Sequence, residues 1–199
     1  MLIDELLSAI IQLLMFTLIP FIVWVILYRK ENFFKWLGLK GFRLQDQPLK
    51  IAIIILLAIV IYCALTFFVI NNISSDITLA GSQFNGMGIG ALPAVFIYGY
   101  IQTGLSEEII FRGFILKRIS QRFGFTTGNI IQGLIFGLLH GLPFGLLTGN
   151  IMVTMLMTLL PGLFGMFEGW LNEKKCQGSI IPSWLLHGTM NFVIACIGL

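Results

Sequence analysis

The chain has 199 residues, 57% hydrophobic and 11% charged, with a mean hydropathy of +0.95 and a net charge of +3. Soluble domains carry about 25% charged and about 45–50% apolar residues, so a soluble domain, a disordered tail and a secreted disulfide scaffold are all excluded. The expected fold class is an all-α polytopic membrane bundle of about six transmembrane helices, each needing roughly 20 apolar residues.

In chain order the expected spans are 6–28, 51–70, 87–105 continuing as a helix to about 122, 127–147, 148–171 and 180–199, within a single membrane domain, 1–199. Asp4 and Glu5 precede the first span, which therefore lacks the basic start of a signal peptide. Thr148-Gly149-Asn150 is the expected turn between the fourth and fifth spans. Gly133, Gly137, Gly141, Gly145 and Gly149 recur every four residues, a spacing that lets helices approach closely in lipid. Pro143 is expected to kink or end the regular helix just after His140.

The loops support this alternation. All 12 Lys and Arg residues fall in the segment 29–50, after the third span, or at Lys174 and Lys175. Loop two (71–86) carries only Asp76. The positive-inside rule then makes the basic loops cytoplasmic and places both termini outside. Phe33, Phe34, Trp36 and Leu37 alternate with basic residues and suggest a short interfacial helix in loop one. Cys63, Cys176 and Cys196 have no metal-ligand or disulfide spacing. The ending Cys196-Ile197-Gly198-Leu199 fits a prenylation pattern, but it lies at the outer end of the last span without polybasic neighbours, so no lipid is expected there.

Ionisable groups inside a membrane are expensive and point to function. Glu107, His140, His187 and Asn191 all fall within apolar spans. At about 1.5 Å per residue, Glu107 is about 15 Å from the cytoplasmic boundary, His140 about 20 Å, His187 about 10 Å and Asn191 about 16 Å. Three helices thus bring four polar residues to one layer in the cytoplasmic half. Glu108 and Arg112 are one turn apart and can satisfy each other, which turns Glu107 about 100° away. Phe136 is one turn from His140 and can wall it off. Glu168 is expected near the headgroups, and Ser106 and Ser183 as caps or packing residues.

A carboxylate and an imidazole can deprotonate a water for attack on a carbonyl, while a second imidazole and a carboxamide hold the oxyanion. The same Glu107, His140 and His187 could instead hold a zinc ion with an open water position. No H-E-x-x-H is present, and the spacing leaves the cofactor open between none and zinc.

Glu107-Glu108-Ile109-Ile110-Phe111-Arg112 resembles an E-E-x-x-x-R motif, Phe136-Gly137-Leu138-Leu139-His140 an F-x-x-x-H motif and His187-Gly188-Thr189-Met190-Asn191 an H-x-x-x-N motif. In this order they resemble the CPBP group: CAAX proteases and bacteriocin-processing or bacteriocin-immunity proteins, also called the Abi family. The group includes the type II CAAX prenyl endopeptidase. The resemblance implies Glu107 as general base assisted by His140, His187 and Asn191 as oxyanion donors, and Glu108 and Arg112 as orienting residues. It implies an intramembrane endopeptidase acting on a hydrophobic or membrane-associated peptide, in peptide maturation, CAAX-type processing or bacteriocin self-immunity. Two other readings compete: a non-catalytic scaffold or immunity protein that binds another membrane protein through its glycine-rich faces, and a small proton-coupled carrier. Nucleic acid is not an expected partner.

Overall fold

The computed structural model describes residues 1–44, 47–72 and 80–199, and for 70–72 the backbone alone. Asp76 of loop two lies outside the described residues. Helices, with no strand, account for the regular structure of the described chain. Helix α1 (Leu2–Val23) runs on through a wide π-type turn, Trp24–Tyr28. A short helix α2 (Phe33–Leu37) and the long α3 (Pro48–Asn72) follow. After 3-10 turns at Ala80–Phe84 and Ile89–Ala91, helix α4 extends without interruption over 92–123, alternating α- and π-type turns. Helices α5 (Phe125–Thr148), α6 (Ile151–Trp170, carried on through Leu171–Lys175) and α7 (Ile181–Cys196) complete the bundle.

The protein is an all-α, multi-pass membrane bundle. Four segments are long and apolar enough to cross a bilayer: Leu2–Tyr28, Pro48–Val69, Phe125–Thr148 and Ile151–Lys175. By that measure four crossings are supported among the described residues. Helix α7 has only 16 residues, and α4 carries Glu107, Glu108 and Arg112 along its length. Leu14, Leu56 and Leu146 are 65%, 60% and 87% exposed, an outer surface suited to lipid tails rather than water.

Helices α5 and α6 pack along the glycine row. A Cβ on Gly137 would lie 2.3 Å from the Thr158 carbonyl oxygen, and one on Gly141 would lie 1.9 Å from Thr158 Oγ1. Backbone-to-backbone approach of this kind is what small residues supply in lipid, where no hydrophobic force draws helices together. The row is therefore consumed inside the molecule and is not a docking face for another membrane protein. Gly149 serves the turn instead. It takes a left-handed φ of 63° to end α5, and Asn150 then caps α6 by accepting from the Met152 and Val153 amides at 2.9 and 3.3 Å. Pro143 does not end its helix, which continues to Thr148. Internal prolines are tolerated where neighbouring helices support the turn.

Helices α4 and α7 cross just as closely. A Cβ on Gly104 would lie 3.3 Å from Gly188 Cα, and one on Gly188 would strike the Tyr100 ring at 2.4 Å. Trp184 Nε1 donates to the Tyr100 carbonyl at 2.6 Å across the same crossing. Helix α4 begins at Leu92 rather than at Met87, because Gly86 and Gly88 take positive φ values of 74° and 69° and Pro93 sits in its first turn.

The basic segments meet at one end of the bundle. Lys117 Nζ pairs with Glu173 Oε1 at 2.5 Å and donates to the Gly178 carbonyl at 2.7 Å. The Arg118 guanidinium lies 4.1 Å over the Trp36 ring. The expected short helix α2 forms, and it packs against the protein on one side. Trp36 and Leu37 are 4% and 0% exposed, packed with Ile109 and Ile180 inside the protein, and of its aromatic residues only Phe34 is turned well outward.

Candidate active site

Two close crossings, α4 on α7 and α5 on α6, bring the polar residues of the middle of the bundle together. Glu107, His140, His187 and Asn191 all line one cavity of about 210 Å³. The rest of its wall is mostly apolar, with Tyr62, Phe144, Met157, Phe164 and Ile194 among the lining residues.

Glu107 Oε2 lies 3.5 Å from His187 Nε2 and 4.0 Å from His140 Nε2. That oxygen is buried and has no hydrogen-bond partner among the described residues. A buried carboxylate oxygen left unpartnered between two imidazoles needs an explanation, and a separation of 3.5–4.0 Å is one that a water can bridge. His140 Nδ1 is 2.8 Å from the Phe136 carbonyl, one turn back on α5. A carbonyl can only accept, so Nδ1 carries a proton, and Nε2 is the ring atom turned toward Glu107. Phe136 packs beside that ring, 4.4 Å between centroids and tilted by 49°, and meets the His187 ring edge-on at 5.9 Å.

Behind His187 lies a fully buried ionic cluster. Glu108 and Arg112 have no exposed side-chain surface and pair at 3.1 Å. Glu108 Oε1 also meets His187 Nδ1 at 3.1 Å, and its Oε2 accepts from Ser183 Oγ. Asn172 Nδ2 in turn donates to Ser183 Oγ at 2.6 Å. These bonds leave the Glu108 carboxylate little freedom and fix the plane of the His187 ring.

The expectation for Glu168 is wrong. It is not near the headgroups: its side chain is 0% exposed, it pairs with Arg112 Nη2, and its Oε1 is 3.9 Å from His187 Nδ1. Helix α6 continues to Lys175, so the lysines lie about 10 Å further along the axis than Glu168. Gly165 provides the room, since a Cβ there would lie 2.8 Å from Arg112 Nη2. The Glu108–Arg112 pair is thus one side of a three-residue cluster rather than self-contained. Arg112 also lies 4.3 Å over the Phe136 ring, which closes the cluster toward α5. Ser183 is more than a packing residue, because it holds Glu108. Ser106 stays a packing residue, bonded at 3.3 Å to the Ile101 carbonyl of its own helix.

Among the described residues, Glu108, Glu168 and His187 offer three ligand atoms within 4.8 Å of one another. They do not fit a divalent cation. Arg112 already supplies the positive charge between the two carboxylates, and Ser183 occupies the other Glu108 oxygen.

A comparison with protein-family models identifies type II CAAX prenyl endopeptidase Rce1-like over residues 89–193 of the 199-residue chain. The chain belongs to this family. The matched stretch holds all of the motif residues and begins where α4 is about to start, so α1, α2 and α3 lie outside it. The Rce1-like family is a protease family, and this chain is one of its multi-pass membrane members. No match was found among curated proteins or solved structures.

Proposed function

We propose that this protein hydrolyses a peptide bond of a hydrophobic or membrane-associated peptide, using a water activated by Glu107. The observation that carries the proposal is the meeting of Glu107, His140, His187 and Asn191, from three helices, in one cavity with the Glu107 oxygen unpartnered. Glu107 takes a proton from the water, whose hydroxide adds to the scissile carbonyl carbon. His140 Nε2 accepts a hydrogen bond from the same water and orients it. The carbonyl electron pair moves onto oxygen, where His187 and Asn191 receive it as hydrogen-bond donors. The tetrahedral intermediate then expels the amine, which takes the proton held by Glu107. The products are a carboxylic acid and an amine, and the site returns to its starting state.

The buried cluster suits this division of labour. Arg112 offsets one of the two carboxylates beside His187, so one negative charge is left to balance. A protonated His187 balances it and carries an N–H on Nε2. Glu108, Arg112 and Glu168 then orient and charge-balance His187 without touching the substrate. Glu107 precedes Lys117 by ten residues on α4, and the positive-inside rule supports a cytoplasmic basic end with both termini outside. The family's proteolytic activity supports CAAX-type processing or peptide maturation as the role, and bacteriocin self-immunity is a further role of the same chemistry.

The sequence also leaves open a zinc ion on Glu107, His140 and His187, and one experiment separates the two mechanisms. Wild type and Glu107→Ala, purified in detergent, are each incubated with a library of hydrophobic peptides, with and without a zinc chelator, and fragments are read by mass spectrometry. Cleavage lost in the variant and kept with chelator is the expected result. Cleavage lost in both would place a metal on those three residues. A Glu107→Ala protein that cleaves at the wild-type rate would overturn the mechanism.

A further inference from the structure

Resting on the peptidase reading above, we infer that Thr103 is a positioning residue that orients Asn191 toward the reacting carbonyl. Thr103 lies outside the three motifs, one turn ahead of Glu107 on α4. Asn191 Nδ2 lies 2.8 Å from Thr103 Oγ1 across the α4–α7 crossing, and both residues line the catalytic cavity.

One such contact does not by itself say which end of the carboxamide faces the hydroxyl, because a hydroxyl can donate or accept. The next bonds decide it. Thr103 Oγ1 also lies 2.9 Å from the Tyr98 carbonyl oxygen and 3.2 Å from that of Gly99. Carbonyl oxygens only accept, and a hydroxyl has one proton to give. That proton is committed to the backbone of α4, so Thr103 faces Asn191 as an acceptor alone. Only the NH₂ end of the carboxamide can meet it. Turned over, the group would set Oδ1 against the Thr103 oxygen, two acceptors face to face at hydrogen-bond distance.

The consequence is chemical. An Asn NH₂ has two N–H bonds in one plane. Thr103 takes one, and the other is left for the cavity, where the developing oxyanion needs a donor. A freely turning carboxamide would present its oxygen part of the time, which would repel that charge. The wide π-type turn over Ile97–Leu105 places the carbonyl five residues back within reach of the Thr103 hydroxyl. The bare Gly104 backbone beside it lets α7 approach closely enough for Asn191 to bond.

The test compares Thr103→Val, Thr103→Ser and Asn191→Ala with wild type, using peptide cleavage for kcat and KM and thermal unfolding in detergent to confirm folding. Valine keeps the shape of threonine and removes the acceptor; serine keeps the acceptor. Thr103→Val should lower kcat about 10- to 100-fold, a part of the loss expected for a missing oxyanion donor, with KM changed less than about twofold. Thr103→Ser should restore most of that loss. In an Asn191→Ala background, Thr103→Val should cost less than about twofold more, because the residue it orients is gone. If Thr103→Val fails to fold, Thr103→Ala replaces it in the same comparison. A wild-type kcat in Thr103→Val, a serine variant as poor as valine, or losses that multiply in the double variant would each overturn the inference. If Asn191→Ala is impaired while Thr103→Val is not, the peptidase reading stands and the role of Thr103 falls. A wild-type protein that cleaves no peptide would remove the peptidase reading and this inference together.

Discussion

Glu107 and Glu108 are neighbours in the chain and stand in opposite surroundings. Glu107 faces the cavity with one oxygen unpartnered between two imidazoles, whereas Glu108 is fully buried and held by Arg112, Ser183 and His187. A turn of about 100° per residue is enough to separate them onto two faces of α4. Two identical side chains should therefore fail in different ways. Glu107→Gln should lower kcat about 10²- to 10⁴-fold, the usual contribution of a general base, with little change in thermal stability. Glu108→Gln should lower stability as well as activity, because it leaves Arg112 with less compensating charge. Cleavage assays beside thermal unfolding in detergent check both. A stable, inactive Glu108→Gln would mean that the buried cluster contributes nothing to the fold.

Glu168 carries a second prediction. Removing one partner from a buried ionic cluster costs about 3–5 kcal/mol, since the remaining charge is left uncompensated. Glu168→Leu should therefore destabilise the protein by an amount in that range. It should also reduce cleavage, because Arg112 and His187 lose the carboxylate that faces both. Denaturant or thermal unfolding measures the first effect and kcat the second. A Glu168 at the headgroups would have tolerated the change, so a neutral result would place it back at the surface.

The glycine row makes a third. Gly141→Ala would set a methyl group 1.9 Å from Thr158 Oγ1 and 2.7 Å from the Thr154 carbonyl oxygen. Thr158 can turn its hydroxyl away, but the backbone oxygen moves only if α6 moves. Overpacking of this kind costs about 1–3 kcal/mol, which should appear as a lower melting temperature. Gly90→Ala is the control, since an added Cβ there meets nothing within 4 Å. Equal melting temperatures for the two variants would show that α5 and α6 are not held at this seam.

A fourth concerns Cys176, in the turn that joins α6 to α7. Burial pushes its thiol up to about 11, and its accessible surface is 0%. The thiolate is the reactive form, so a raised value means that little of it exists at neutral or mildly basic pH. The thiol should resist maleimide at about pH 7–8 in the folded protein and react once the protein unfolds. Mass spectrometry of the labelled peptide reads this directly. Rapid labelling without denaturant would show that the turn opens, and that the adjoining core of Leu171, Leu186 and Met190 opens with it.

Several features were legible in the residues themselves. A bilayer restricts its spanning structures to helices and closed barrels, so long apolar runs declared a helical bundle. The cost of polar groups in lipid singled out Glu107, His140, His187 and Asn191, and a rise of about 1.5 Å per residue placed them in one layer. The glycine spacing foretold a close helix pair, and Gly149-Asn150 the turn that joins it.

What depended on the fold was how helices distant in sequence are turned toward one another. Depth along a helix follows from counting residues, but the neighbour of each face does not. Glu168 looked interfacial because two lysines follow it closely in the chain. Only the packing of α6 against α4, with Gly165 making room, shows that Arg112 reaches it. Ser183, Asn172 and Thr103 are ordinary polar residues in sequence, because their worth lies in bonds to partners 11 to 88 residues away. The same holds for the choice of face on the glycine row, which α6 covers. Residue types and their spacing were enough to say which side chains could not belong to lipid. Packing settled which of them meet, because hydrogen bonds and ion pairs act over about 3–4 Å and only the folded chain brings their partners within that range.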